Sequence, residues 1–383
     1  MSVSKVIELL KQAKRPLLHI GNGARGCNWD IGIPVVTARN ANDMVPDDHP
    51  LYVGRPGTFA QRGANFAVQT CDLYIAVGTR LSLPQTGYNT KDYARNAVIV
   101  QVDINQAELD KGTLRDPIKI CCDAGEFLSQ LRDIAPLPKL DWLKRCKDWQ
   151  ARYPVVLPEY KEQKGYVNSY YFIDQLSELC NAEDTIVTDM GFAFQNTHQA
   201  WKVKKGQRLL TNCGLAPMGW GLPAAIGAAF ATGRRVVCIT GEGGLMMNIQ
   251  ELATVMHHCL PIKIFVLNNG GYATIKQTQE LGFEGRLMGV NEDTGLSFPD
   301  LQEIAYAHGM LYCCHETHEH LDSLKNTIAS KRADIIEIML DPNQSQAPRA
   351  LNRRNPDGTM NPTKLEDMHP FLPPEVIAEE MKL

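Results

Sequence analysis

Two short polar turns, each closing an apolar run, constrain this chain more than any other feature: Gly241-Glu242-Gly243-Gly244 and, 24 residues after Gly244, Asn268-Asn269. Residues 234–240 (RRVVCIT) and 262–267 (IKIFVL) read as buried strands. Residues 246–258 (MMNIQELATVMHH) between them read as a helix with Met247, Leu252, Val255 and Met256 apolar. A strand–helix–strand crossover makes its two strands parallel, so both turns emerge at the carboxyl edge of one sheet. Glycines there let the backbone approach a phosphate, and a helix starting near Leu245 offers its unpaired N–H groups to it. Glu242 and Asn269 present hard oxygens to a cation between.

The rest of the chain supplies the frame for such a site. A length of 383 residues suits two or three domains, each large enough to bury a core. Strand-like runs at 17–20, 33–37, 73–77 and 98–104 make residues 1–135 one α/β layered domain. Pro136-Leu137-Pro138 punctuates it, and residues 136–165 read as a helix and connector. A second α/β domain follows over 166–348, with an opening helix at 168–180, a strand at 185–188 and a small-residue helix at 222–232. Residues 349–383, rich in Pro, Asn and Asp, read as an extended arm. The fold class is therefore α/β, with two doubly wound domains and mostly parallel sheets.

Composition excludes several functions. A formal charge of −4 leaves no electrostatic footprint for nucleic acid, and the longest small-apolar stretch, 221–231, is too short to span a bilayer. Eleven cysteines without Cys-x-x-Cys spacing, among them Cys121-Cys122 and Cys313-Cys314 in strand-like runs, read as buried thiols in a reducing compartment. The amphipathic N-terminus (MSVSKVIELLKQAKRP) lacks the apolar core of a signal peptide, which makes a soluble, cytoplasmic protein the expectation.

The spacing of the two turns resembles the cofactor motif of the thiamine diphosphate (ThDP) enzymes of the acetolactate synthase type: Gly-Asp-Gly, a spacer of this length, then Asn-Asn. The resemblance extends from about residue 5 to the end. It implies that Glu242, Asn269 and the main-chain carbonyl of Gly271 hold Mg²⁺. It further implies that Met218, within 213–227 (CGLAPMGWGLPAAIG), keeps the cofactor bent and that the carbonyl of Ala216 faces the aminopyrimidine. Asp189-Met190-Gly191 falls where the family's upstream diphosphate loop begins. Cofactor contacts are thus expected at Gly191, Ala216, Met218, Gly241, Gly243, Gly244, Asn269, Gly271 and Tyr272. The stretch 268–300 and Leu365-Glu366-Asp367-Met368 look most like the acetolactate-synthase-like proteins found with bacterial surface-sugar genes, and in relatives the arm lies over the active site.

The resemblance implies a protein acting on a 2-oxo acid such as pyruvate, by decarboxylation and carboligation, as a transferase or lyase. The expected partners are a second copy of the chain or a chain carrying a pyrimidine-binding domain, because the sequence starts where the family's central domain starts. The glutamate that drives loss of the thiazolium C2 proton belongs to the preceding domain, and no glutamate here sits in a matching context. Other departures favour a rival reading, a non-catalytic structural or regulatory subunit of the same fold. Glu242 replaces Asp, displacing the carboxylate by roughly 1.5 Å, one C–C bond, at a metal that demands near-ideal octahedral geometry. Phe192-Ala193 replaces hydroxyl or amide side chains, and Gly270 stands where relatives often carry Asn or Asp. Between Ile20 and Ile33 there is too little chain for a crossover helix and two loops.

Five other motifs carry a chemical or a structural reading. Gly21-Asn22-Gly23-Ala24-Arg25-Gly26 matches a dinucleotide fingerprint, but the helix that should follow is missing, and a tight turn is the better account. Arg80 matches the region where acetolactate synthases bind FAD, whereas Ser82-Leu83-Pro84-Gln85 departs from that pattern. His315-Glu316-Thr317-His318-Glu319-His320 could ligate metal, or could bridge a strand to a helix near Leu321 with Thr317 as its cap. His257-His258 suits a helix C-terminus, and Lys202, Lys204 and Lys205 suit a solvated loop.

Overall fold

The computed structural model describes residues 3–132, 139–354, 357–361 and 363–383; the Pro136-Leu137-Pro138 punctuation lies outside them. The chain divides into two compact units, Met1–Val155 with Ala347–Leu383, and Val156–Gln346. The division falls inside the stretch read as a connector, and the terminal segment belongs to the first unit.

The first unit is built on six strands: β1 (Pro16–Ile20), β2 (Val35–Thr37), β3 (Tyr52–Gly54), β4 (Leu73–Val77), β5 (Val98–Asp103) and β6 (Ile118–Cys121). They lie in the order β3-β2-β1-β4-β5-β6, and every neighbouring pair is parallel. β1 and β4 are buried along their whole length, as strands covered by layers on both faces must be. The amphipathic helix Val3–Gln12 buries Val6 and Leu10 on one face, together with Phe127 and Leu128 of helix Ala124–Arg132. Helices Arg62–Thr70 and Leu140–Arg152 cover the other, through Phe66, Trp142 and Trp149. The short β1–β2 link carries only the 3₁₀ turn Asn22–Ala24. Ala24, Ile31 and Ile33, with Trp29 against them, fill the layer that a crossover helix would occupy.

The segment read as an arm docks on this unit through buried polar groups. Asn65 Nδ2 donates to Leu365 O at 2.8 Å and Arg62 Nη2 to Pro370 O at 2.7 Å. Gln69 Nε2 donates to Glu366 at 2.9 Å, and helix Pro374–Glu380 ends on Glu380, which accepts from Trp149 Nε1 at 2.7 Å and Tyr153 OH at 2.6 Å.

The second unit has β7 (Thr185–Thr188), β8 (Arg208–Leu210), β9 (Val236–Gly241), β10 (Ile262–Asn268), β11 (Leu311–His315) and β12 (Asp334–Met339). Their order is β11-β12-β10-β9-β7-β8, again parallel throughout. The two six-stranded sheets, with helices on both faces, are the two doubly wound α/β folds expected. One helix differs. Helical structure starts at Glu242 rather than near Leu245, and the run 246–258 is not one helix: Glu242–Met246 ends as it begins, and a 3₁₀ turn Ile249–Glu251 and Leu252–His257 follow. Asn248 leaves helical geometry (φ −137°, ψ 33°), and its Nδ2 donates to Gly219 O at 2.7 Å, so a tertiary hydrogen bond outcompetes helix continuation.

The cysteines are free, as expected, but not uniformly buried: Cys71, Cys146, Cys180 and Cys238 are, whereas Cys121 and Cys259 are exposed. Cys121 sits on the edge strand β6, and a lone period-two position there faces solvent. Among the described residues, no helix is long and apolar enough to cross a membrane.

Candidate functional site

In an open parallel sheet, ligands bind beyond the carboxyl ends of the strands where the chain order reverses. In the second unit that point lies between β7 and β9. A cavity, partly open to solvent, lies there, lined by the segments that follow β7, β9 and β10. Every expected cofactor residue lines it except Ala216: Gly191, Met218, Gly241, Gly243, Gly244, Asn269, Gly271 and Tyr272, together with Glu242. Ala216 sits in an exposed loop at φ +53°.

Three helix starts meet at this cavity. Phe192–Ala200 begins after Gly191, Glu242–Met246 after Gly241 and Ala273–Gly282 after Tyr272, and none of the three carries a side-chain cap. The first residues of all three are in the lining. Each helix start leaves backbone N–H groups without an intrahelical acceptor, and a shared cavity turns them into one anion-binding surface. Glycine is required where the walls touch. A Cβ on Gly243 would meet the Tyr272 ring at 2.2 Å, and one on Gly271 (φ +150°) would meet Val290 O at 1.9 Å.

Glu242, Asn269 and Gly271 are brought together, with Glu242 as the link. Its Oε1 accepts from Gly271 N at 2.8 Å and Asn269 N at 3.2 Å, joining the turn after β9 to the turn after β10. Burial raises the Glu242 carboxyl to about 7; the amide donors oppose that rise and the charge of Glu337 adds to it. Asn269 Oδ1 is buried and has no hydrogen-bond partner among the described residues. No cluster of three or more His, Cys, Asp or Glu suited to a metal occurs among the described residues. A cation here would therefore rely on one carboxylate with amide and main-chain oxygens, a hard-oxygen set that fits Mg²⁺, and the partnerless Asn269 Oδ1 is the atom such an ion would satisfy.

Asp189 has a larger part than its position at the head of a loop suggested. It is buried, and its carboxylate accepts from Met190 N at 2.7 Å, Gly219 N at 3.0 Å, Gly221 N at 3.4 Å and Thr240 Oγ1 at 3.2 Å. One side chain thus fastens the loop after β7, the loop carrying Met218 and the end of β9. Burial raises its carboxyl, with those donors opposing. A lone acid after an apolar run signals none of this in sequence. Phe192 and Ala193 are buried at the helix start and bring no polar side chain to the cavity.

The remaining motifs resolve structurally. His318 is held at both nitrogens, by Asn168 N at 2.8 Å and Lys161 O at 2.9 Å, and His320 Nδ1 accepts from Glu316 N at 3.2 Å. Thr317 stands at the N-cap of a 3₁₀ turn, His318–Ser323, without the side-chain bond a cap would make. Lys204 Nζ donates to the last carbonyls of helix Ser169–Leu179, including Ser177 O at 2.9 Å, and Lys202 pairs with Asp174 and Glu178. The Gly21–Gly26 turn packs directly on the loop after β4, through Gly21 N to Val77 O and Gly23 N to Gly78 O, both 2.9 Å.

Residues 3–131 match the family model for the thiamine pyrophosphate enzyme, central domain, and residues 189–338 that for the thiamine pyrophosphate enzyme, C-terminal TPP binding domain. The chain is 30% identical over 358 residues to the acetolactate synthase isozyme 1 large subunit of Escherichia coli K12, covering 91% of this chain and 62% of that protein. To the isozyme 2 large subunit of the same organism it is 31% identical over 396 residues, with 99% and 65% covered. To the acetolactate synthase large subunit of Parasynechococcus marenigrum it is 32% identical over 329 residues, with 81% and 51% covered. The chain spans between half and two-thirds of the length of these relatives.

Proposed function

This chain belongs to the ThDP-dependent, acetolactate-synthase-like family, and from that premise we propose that its second unit holds the diphosphate of ThDP with Mg²⁺ for decarboxylation and carboligation of a 2-oxo acid of the pyruvate type. The supporting observation is the meeting of three helix starts without side-chain caps at one cavity. Backbone N–H groups of Gly243, Gly244, Phe192 and Ala193 bind the diphosphate. Asn269 Oδ1, a Glu242 carboxylate oxygen and the Gly271 carbonyl hold the cation, and Met218 supports the bent cofactor. When bound, ThDP supplies a nucleophilic thiazolium carbon and an electron sink for the departing carboxylate.

Proton transfer that activates the cofactor is the role of a pyrimidine-binding domain, supplied by another polypeptide or segment within an oligomer in the cytoplasm. A polypeptide of these 383 residues, given ThDP, Mg²⁺ and pyruvate, is expected to release no product. A non-catalytic role is the second reading, favoured by Phe192 and Ala193 at the helix start and by the tie of Glu242 to two backbone amides. Calorimetric titration of ThDP with Mg²⁺ tests the binding claim. Heat in the parent that vanishes in Glu242→Ala supports it, and no heat in either overturns it.

A further inference from the structure

We propose that Glu337 is a positioning residue that sets the metal-binding turn, acting through Asn268. The inference rests on the Mg²⁺-ThDP reading of the cavity only for its consequence; the positioning itself is read from the fold. Glu337 lies on β12, opposite Val266 of β10 and Cys314 of β11. Side chains alternate along a strand, so Asn268, two residues beyond Val266, shares the sheet face of Glu337, as Tyr312 does on the far side.

The contacts use that register. Glu337 Oε1 accepts from Asn268 Nδ2 at 2.6 Å, and its Oε2 accepts from the Tyr312 hydroxyl. With its Nδ2 committed, Asn268 turns Oδ1 toward its own loop and accepts from Gly270 N at 2.9 Å. That bond closes the turn at Gly270 (φ +73°), beside Gly271, whose N–H meets Glu242. The two asparagines therefore have different tasks. Asn268 is bound on both ends of its amide and shapes the turn, whereas Asn269 Oδ1 is buried and partnerless. Glu337 is 7% exposed, and a buried carboxylate with two donors fixes an orientation that an apolar residue could not.

Three variants isolate the role. Glu337→Ala removes both acceptors. Glu337→Gln keeps an oxygen for Asn268 and turns its amide donor to the Tyr312 oxygen, so hydrogen bonding persists without charge. Tyr312→Phe removes only the outer bond. Backbone amide exchange over 268–273 in cofactor-free protein is expected to accelerate about tenfold or more in Glu337→Ala, the loss of one buried polar link. Exchange in β7 and β9 should stay unchanged. Glu337→Gln should remain within about twofold of the parent and Tyr312→Phe between the two. Calorimetry with Mg²⁺ and ThDP should follow the same order. Unchanged exchange over 268–273 in Glu337→Ala, or a Glu337→Gln variant as disturbed as the alanine, overturns the proposal. A parent that gives no heat overturns the cofactor reading and leaves exchange to decide the positioning claim. If Glu337→Ala does not fold, Asn268→Ala carries the same exchange test from the loop side of the link.

Discussion

The two units contain the same device, a six-stranded parallel sheet whose chain order reverses within it, and finish it in opposite ways. At the reversal in the first unit, between β1 and β4, the loops pack on each other. A Cβ on Gly21 would meet Gly78 O at 2.2 Å and Thr79 Cα at 2.4 Å. At the reversal in the second, between β7 and β9, Asp189 ties the loops at their base but a cavity stays open beyond it, and a Cβ on Gly241 would meet only Leu267 O at 3.8 Å. Glycine after a strand thus serves closure in one case and access in the other. The strand-then-glycine pattern alone does not separate them, but the next few residues do. After β1 comes a 3₁₀ turn, after β9 a helix start without a side-chain cap.

One methyl group added at each edge puts that contrast at greatest risk. Gly21→Ala forces Cβ into backbone that cannot rotate away, and should cost about 3 kcal/mol or more, seen as a large drop in the thermal midpoint. Gly241→Ala has ordinary contacts and an extended φ of −95°, and should stay within about 1 kcal/mol of the parent while weakening ThDP binding. Equal losses in the two melts would mean that the first edge is not closed by backbone contact.

Buried carboxylates carry the same contrast into pH dependence. Glu242, in the open edge, is raised from 4.5 to about 7 by burial, against the backbone amides of Glu242, Gly271 and Asn269. From about pH 4.5 to 7 the folded, cofactor-free protein keeps a proton that the unfolded chain has lost. Stability contributed by this group therefore falls as pH rises through that window, by up to about 3 kcal/mol. Glu380, in the closed unit, would also be raised by burial, but hydrogen bonds from Arg152, Tyr153 and Trp149 prevail and hold it at about 2. Its contribution is complete above pH 4.5 and is lost as pH falls toward 2, by about 2–3 kcal/mol. Denaturant unfolding across pH should show the parent losing its deficit against Glu242→Gln below pH 5, and its advantage over Glu380→Gln below pH 3. The same sign for both acids would remove the distinction.

What the chain discloses in sequence depends on how local the determinant is. The turns at 241–244 and 268–269 are legible because each is a strand end followed at once by glycine, acid or amide residues. Seven of the eight expected residues between 191 and 271 other than Glu242 line one cavity because a parallel sheet brings its carboxyl ends together whatever lies between. The roles of Asp189 and Glu337 are not legible because their partners lie on other strands and loops, Gly219 and Thr240 for one, Asn268 and Tyr312 for the other. The break at Asn248 is likewise set by Gly219, far along the chain. The terminal segment reads as an extended arm in sequence because Glu366 and Glu380 meet Arg95, Gln69 and Trp149 only in the folded unit.

The smallest effect tests whether the open edge is tuned for a cation or merely tied shut by its own glutamate. With its long reach, Glu242 spends Oε1 on the amides of Asn269 and Gly271, an internal bond that any cation must share or displace. Glu242→Asp withdraws the carboxylate by roughly one C–C bond, 1.5 Å, which frees it from those amides and restores the acid that the family's motif carries at this turn. If the cavity binds Mg²⁺ through this carboxylate and Asn269 Oδ1, the aspartate variant should bind Mg²⁺-ThDP tighter than the parent by up to about tenfold, roughly 1.4 kcal/mol. If the carboxylate serves only to pin the two turns together, the same change leaves two amides unsatisfied, and the variant loses stability with no gain in affinity. Calorimetry and a thermal melt on one preparation separate the outcomes: tighter binding at a modest melting cost marks a cation site, and a melting cost alone marks a tie.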